Sequence, residues 1–315
     1  MSPRTICLLL LSGVIATSPA IADEATAVTD PGLKQALRTV LQRRKLMDPA
    51  ATELSLEALK AVRYLDASGL KIRSLDGLQH CENLRELDIS DNDIDDLQPL
   101  AGLSKLITLR AVGNRVSDLS PLSQLSELRE LIIDRNAVKS LEPLNDCVAL
   151  NRITAAENEI QDLAPLSKMT QLHTLLLPDN LIEDLGPVAQ LPRISLLDVR
   201  CNRVSRIDPL LQCDRLQWTF LQGNRVSDIE PLSELGQRPP EKPPLRTHWQ
   251  IFLAENPCAN DATEGIVTMA AQQITVDFRT SGSESGAAED QKVSVPPTAD
   301  AEPPATEDTN NPKVK

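Results

Sequence analysis

The residues of this chain that most invite a chemical reading are the acids of Asp91-Asn92-Asp93-Ile94-Asp95-Asp96, oxygen donors close enough together to suggest a calcium loop. Such a loop needs a glycine at its sharp turn and a bidentate glutamate to close the coordination sphere. The run has neither, and no metal is expected there. His80, His173 and His248 lie too far apart for a zinc set, and no Cys-x-x-Cys occurs. The chain also lacks a nucleophile elbow, a phosphate-cradling loop and a dinucleotide fingerprint. With nothing to activate a nucleophile or hold a cofactor, the expectation is a non-enzyme that requires none.

What remains is binding chemistry, and its candidates can be placed only against the regularity that runs through the chain. Asn92, Asn114, Asn136, Asn158, Asn180, Asn202 and Asn224 recur with a 22-residue period, and Asn256 follows after a longer gap. Apolar residues keep step, at eight, five and three before each Asn and two, five, eight and eleven after it. One such row is Leu84, Leu87, Ile89, Ile94, Leu97, Leu100 and Leu103. A fixed period of this length marks a solenoid, in which each turn buries its apolar row against its neighbours. Aromatics make up only 2% of the 315 residues, so the core is expected to be aliphatic. Each Asn closes a short strand, as in Leu87-Asp88-Ile89-Ser90-Asp91-Asn92. There the chain turns inward, and the amide is expected to satisfy backbone groups the turn would strand, one repeat above the next. Proline in Asp118-Leu119-Ser120-Pro121-Leu122 and in Asp162-Leu163-Ala164-Pro165-Leu166 then predicts a narrow 3₁₀ or irregular outer wall. The expected fold class is an α/β solenoid, a horseshoe with a parallel sheet on its concave side.

Strand alternation points the residues six, four and two before each Asn away from that core and onto the concave face. Leu176, Leu196, Trp218, Phe220 and Phe252 fall in those columns, with Trp249 beside them. They form an apolar patch suited to anchoring a protein partner, because aromatics dominate interface hot spots. The other reading is that a C-terminal cap or a Pro-rich loop covers the rings and makes them ordinary core. Toward the N-terminus the same face carries Asp66, Glu86, Asp88, Glu130 and Asp134 among Arg110, Arg135 and Arg152. That stretch is either a solvated surface or a charged rim for a basic partner.

Met1 to Ala22 reads as a secretory signal: Arg4, an apolar run from Ile6 to Ala16, then small residues three and one before a cut at Asp23. The run is too short to span a bilayer, so no stable membrane insertion is expected. The signal holds one of the 32 basic side chains and none of the 45 acidic ones, which leaves the exported chain at −14. Nucleic acid is therefore not an expected partner. Cys81, Cys147 and Cys213 share the inward slot eleven after the Asn position, and each is three repeats from the next. Three turns at ~4.8 Å put neighbours about 14 Å apart, beyond the ~7 Å reach of a disulfide, so they read as small core hydrophobes. Cys201 and Cys258 fall beside Asn202 and Asn256, and a bridge from either to Cys213 stays open in an oxidising compartment.

The layout follows. After a short arm, Asp30-Pro31-Gly32 opens a helix with Leu33, Ala36, Leu37, Val40 and Leu41 on one stripe, and Ser55 to Val62 gives a second. Residues 23–63 thus form an arm and helical cap. Residues 64–258 hold about nine turns, broken by a Pro-rich insertion at 236–246. The first turn has Leu70 in place of the Asn and is expected to meet the cap there. Residues 259–278 are a C-terminal cap. The rest of the chain, 279–315, holds seven acids, four bases and five prolines and is expected to be disordered.

The unit Leu84-x-x-Leu87-x-Ile89-x-x-Asn92-x-Ile94-x-x-Leu97-x-Pro99-Leu100 resembles the 22-residue repeat of bacterial internalin-type leucine-rich repeat proteins. The resemblance runs from about Asp30 to Cys258 and includes a Ser68-Gly69-Leu70 first turn typical of that group. It implies a protein-binding module whose concave strand face holds its partner; similar repeats also serve as phosphatase regulatory subunits in eukaryotes. The combined expectation is a monomeric, exported interaction scaffold of the periplasm or beyond. The alternatives are an envelope-structural protein that binds peptidoglycan or another glycan, and a regulatory subunit of an envelope enzyme.

Overall fold

A computed structural model describes residues 28–48, 50–51, 53–234, 248–259, 266–269 and 274–279. The signal, the Pro-rich insertion and the tail beyond Arg279 lie outside the described residues, as does part of the C-terminal cap.

The N-terminal helix α1, Pro31–Arg43, starts where Asp30 Oδ1 accepts the backbone N–H groups of Gly32 and Leu33, with proline at the first helical position. The second oxygen of Asp30 accepts from Arg73 N at 2.9 Å, so one carboxylate caps the helix and fastens it to the first repeat. Leu33, Ala36, Leu37 and Leu41 bury one face. The close approach of helix and first turn explains Gly32, where a Cβ would lie 2.6 Å from the carbonyl oxygen of Leu70. Leu70, which replaces the Asn, thus meets the cap. A second helix, α2 (Leu56–Lys60), is capped by Ser55 Oγ.

Nine short strands, one per turn, pair in parallel in chain order. They are β1 (Tyr64–Asp66), β2 (Glu86–Asp88), β3 (Thr108–Arg110), β4 (Glu130–Ile132), β5 (Arg152–Thr154), β6 (Thr174–Leu176), β7 (Leu196–Asp198), β8 (Trp218–Phe220) and β9 (Trp249–Phe252). Up to β8 each strand residue pairs with its counterpart one repeat on, as in Leu87↔Leu109; across the insertion Phe220 still pairs with Phe252. Extra chain between turns leaves the ladder intact. Two more strands, β10 (Ile266–Met269) and β11 (Ile274–Asp277), form an antiparallel pair, and β11 lies parallel beside β9. The C-terminal cap in its described part therefore continues the sheet.

The outer wall is a row of 3₁₀ turns such as Gln98–Leu100, Ser120–Leu122 and Glu142–Leu144, each with proline in its first positions. The aspartate two residues before the turn explains the Asp-Leu-x-Pro-Leu motif: Asp96 Oδ1 accepts from Gln98 N, and Asp118 Oδ1 accepts from Ser120 N. Between sheet and wall, the apolar rows form one continuous aliphatic core, with Leu87, Ile89, Ile94, Leu97, Leu100 and Leu103 all at 1% exposure or less.

The Asn side chains join the turns. Asn180 Oδ1 accepts from Ile160 N at 2.9 Å, while Nδ2 donates to Ala155 O, Leu177 O and Pro178 O. The same pattern recurs from Asn92 to Asn256, where Oδ1 accepts from Val226 N. To aim that amide inward, the preceding residue takes a left-handed backbone in every case: Asp91, Gly113, Arg135, Glu157, Asp179, Cys201, Gly223 and Glu255. Three of the four acids in the run, and its Asn, are engaged within the fold. Asn92 belongs to the ladder, Asp96 caps a turn, Asp91 pairs with Arg135 at 3.1 Å, and Asp93 pairs with Arg115 and Arg73.

All five described cysteines are free thiols; Cys81, Cys147 and Cys213 are buried, Cys201 is exposed and Cys258 half-buried. Desolvation pushes the Cys81 and Cys213 thiols up to about 12 and Cys147 up to about 11. Burial and then the Asp179 charge raise Cys201 as well, so exposure decides the order: among the described cysteines Cys201 should label first, and the buried three only after denaturation. Recovery of Cys81 and Cys147 as a linked peptide without reductant would contradict the three-turn separation.

Candidate functional site

The concave face is built by the outward residues of strands whose inward residues fix their height and spacing. Leu176, Leu196, Trp218, Phe220 and Phe252 are half-buried there. Three of them form a stack: the Phe220 and Phe252 rings lie 4.8 Å apart and Trp218 6.4 Å from Phe252, each pair within 7° of parallel. The 4.8 Å ring separation matches the distance between neighbouring strands, so the stacking follows from placing aromatics at matched positions of β8 and β9.

Trp249 is a correction. It is 1% exposed and belongs to the core, because alternation along β9 turns it inward between Gln250 and His248. Its indole N–H donates to Thr219 Oγ1 at 2.8 Å. Thr219 stands in a column otherwise filled by Leu65, Leu87, Leu109, Leu131, Ile153, Leu175, Leu197 and Ile251, and it is fully buried. A hydroxyl in a leucine column was the available signal that a buried donor had to meet it.

The stack is flanked by two charged pairs. In the row running Leu176, Asp198, Phe220, Phe252, Asp277, each residue is the registered partner of the next. Asp198 accepts from Arg200 N, Nε and Nη2, the last at 2.6 Å. Asp277 accepts from Arg279 N, Nε and Nη2 in the same pattern. The carboxylates are sunk, with side-chain exposures of 8% and 16%, and the arginine side chains are 47% and 42% exposed. Hydrogen bonding to Asp198 holds Arg200 above its ordinary value. Burial pulls Asp277 up, yet its bonds with Arg279 outweigh this and leave it lowered. The Arg200 guanidinium also lies 5.5 Å over the Phe220 ring. These arginines were missed in the sequence; their signal was Asp-x-Arg at the ends of β7 and β11.

The N-terminal part of the face is polar. A shallow recess is lined by Arg43, Arg44, Tyr64, Asp66, Glu86, Asp88 and Arg110. Arg44 covers the Tyr64 ring at 5.5 Å, and the Ser68 hydroxyl beside Asp66 holds its carboxyl below the usual value. Arg110 reaches Glu130 at 3.6 Å. Arg152 keeps a buried Nε without a hydrogen-bond partner. Burial raises the Asp134 carboxyl despite bonds from Ala156 N and Thr154 Oγ1, and burial lowers His173. Thr108, Thr154 and Thr174 are buried in this face. Arg135 lies off the strands, paired with Asp91. Among the described residues no three His, Cys, Asp or Glu side chains converge on a metal position.

A parallel ladder with one short strand per turn, a 3₁₀ outer wall and an Asn junction in each repeat define a leucine-rich repeat solenoid, a scaffold typical of protein–protein interaction. The family model for two-copy leucine-rich repeats matches residues 60–102. An internalin C2 from Listeria monocytogenes is similar at 27% identity and a TM-score of 0.59, over 65% of this chain and 88% of that one. An internalin F from the same species matches at 26% and 0.56, over 72% and 69%. A Leptospira interrogans leucine-rich repeat protein, at 20% and 0.54 over 64% and 57%, shares the fold. No curated protein matches the chain. The chain thus has a leucine-rich repeat fold and is similar to bacterial internalins.

Proposed function

We propose that this protein is an exported, non-enzymatic scaffold that holds a protein partner on its concave face, at Trp218, Phe220 and Phe252. The observation that carries this reading is the parallel stack of three half-buried rings on the outward side of the sheet, in a chain with six aromatics in all. Exposed clustered rings invite aggregation unless a partner uses them. The described strands beside the stack, β9 and β11, extend the sheet edgewise, which supports an open face. Export rests on the signal-like Met1 to Ala22, and no helix among the described residues is long and apolar enough to cross a membrane.

The test uses a partner crosslinked to the chain in the native cell envelope and recovered with it. Trp218→Ala or Phe220→Ala should weaken capture of that partner by about 2 kcal/mol, the scale of an interface hot spot, with little change in melting temperature. Lost stability with capture intact would mean the rings act as core, and would move the search to Glu86, Asp88 and Glu130.

A further inference from the structure

The geometry of the ring stack determines which part of each aromatic is left for a partner. One face of Phe220 lies against Phe252, at 4.8 Å and within 7° of parallel. Its other face is covered by the Arg200 guanidinium at 5.5 Å, because Arg200 follows β7, and β7 and β9 pair with β8 from opposite sides. Bonds from Nε and Nη2 to Asp198 fix that guanidinium in place. With both faces occupied, the half-buried Phe220 ring exposes its C–H edge. Phe252 stands parallel to it, between Phe220 and the registered Asp277 of β11, and Trp218 is parallel to Phe252 in turn. The concave surface at this point is a row of ring edges.

An aromatic ring carries partial negative charge on its faces and partial positive charge on its edge, so a row of edges is electropositive although it is apolar. That selects among ligands. A sugar ring or a quaternary ammonium group is held on an open aromatic face, and the faces of Phe220 are taken. An aliphatic side chain gains the area it buries and nothing more. The face of another aromatic gains the same area and meets positive edges with negative charge. One ring laid across Phe220 and Phe252, whose centroids are 4.8 Å apart, can stay within the ~4.5–7 Å of both that edge-to-face pairs favour. Resting on the docking reading above, we infer that the concave stack takes an aromatic side chain of a partner protein, its face laid across the edges of Phe220 and Phe252.

The probe is a short peptide with phenylalanine at its centre and serine elsewhere, titrated calorimetrically against the full chain. Its two counterparts carry cyclohexylalanine, which has the shape without the π face, and pentafluorophenylalanine, which has the ring with its charge distribution inverted. Both counterparts are more apolar than phenylalanine, so burial alone would make them bind at least as tightly. The phenylalanine peptide should instead bind about two- to tenfold more tightly than either, the range for an aromatic pair beyond its area burial. Phe220→Leu, which keeps an apolar side chain and removes the ring edge, should cancel that preference and leave the cyclohexylalanine peptide nearly unchanged. Equal affinities, or the reverse order, with all binding lost on Trp218→Ala, would overturn the edge-to-face contact and leave the docking reading standing. Binding of chitohexaose in place of the peptides would overturn it too, by showing an open ring face. No binding by any probe would also overturn it, while partner capture sensitive to Trp218→Ala would still uphold the docking site.

Discussion

Asn158→Ala is expected to lower the stability of the solenoid by about 3 kcal/mol, far more than deletion of one ordinary hydrogen bond. The side chain accepts from Val138 N at 2.9 Å and donates to Ile133 O and Ala156 O, each at 3.0 Å. Alanine cannot replace any of these bonds, and at 8% exposure little water can enter to do so. The lost partners belong to the turn below as well as its own, so two repeats are loosened together. Glu159→Ala, which removes only an exposed pair with Lys139, should be nearly silent. Denaturant midpoints of the two variants check this; equal midpoints would remove the ladder from the account of stability.

Leu175→Ala should cost about 2–5 kcal/mol, the range for emptying a leucine site in a packed core. Leu175 is fully buried in β6, registered between Ile153 of β5 and Leu197 of β7. The side chains around the vacancy are held at strand spacing by the sheet and cannot close over it, which favours the upper part of the range. Leu46→Ala, at an exposed position of the N-terminal region, gives the comparison and should change stability little. Similar losses for the two variants, measured by chemical denaturation, would contradict a close-packed central core.

The repeat was legible because its constraints are local and recur. Asn92 and its successors, the seven apolar positions and the Asp-Leu-x-Pro-Leu turn each follow from one backbone path copied along the chain. The ends were less legible because they are not copies. Nothing in Ile274 to Asp277 distinguishes a strand that joins the sheet from one that folds back over it. At the candidate site, alternation placed Trp218, Phe220 and Phe252 correctly on the outward columns. Trp249 was grouped with them only because it lies beside them; it precedes those columns by one position, and the same alternation turns it into the core. The pairs of Arg200 with Asp198 and of Arg279 with Asp277 were hidden for a different reason: the row that the two aspartates share with the rings is formed by five separate stretches of chain, and only strand register shows it.

The Asn junction has one further consequence. Each junction joins its Asn to the equivalent backbone groups of the preceding turn, 20 positions away for the donor and 25 for the acceptor in Asn114 through Asn224, and 30 and 35 in Asn256, so it sets one turn upon the next. Whole repeats can be duplicated or lost with every contact re-formed, and ten extra residues before Asn256 leave its junction and the strand register unchanged, so added chain within a turn does not alter the strand spacing. Evolution can therefore change the distance between the acidic and aromatic ends of the face only in increments of one strand spacing. The protein is in this sense a graduated ruler, and its reach toward a partner is set by a whole number.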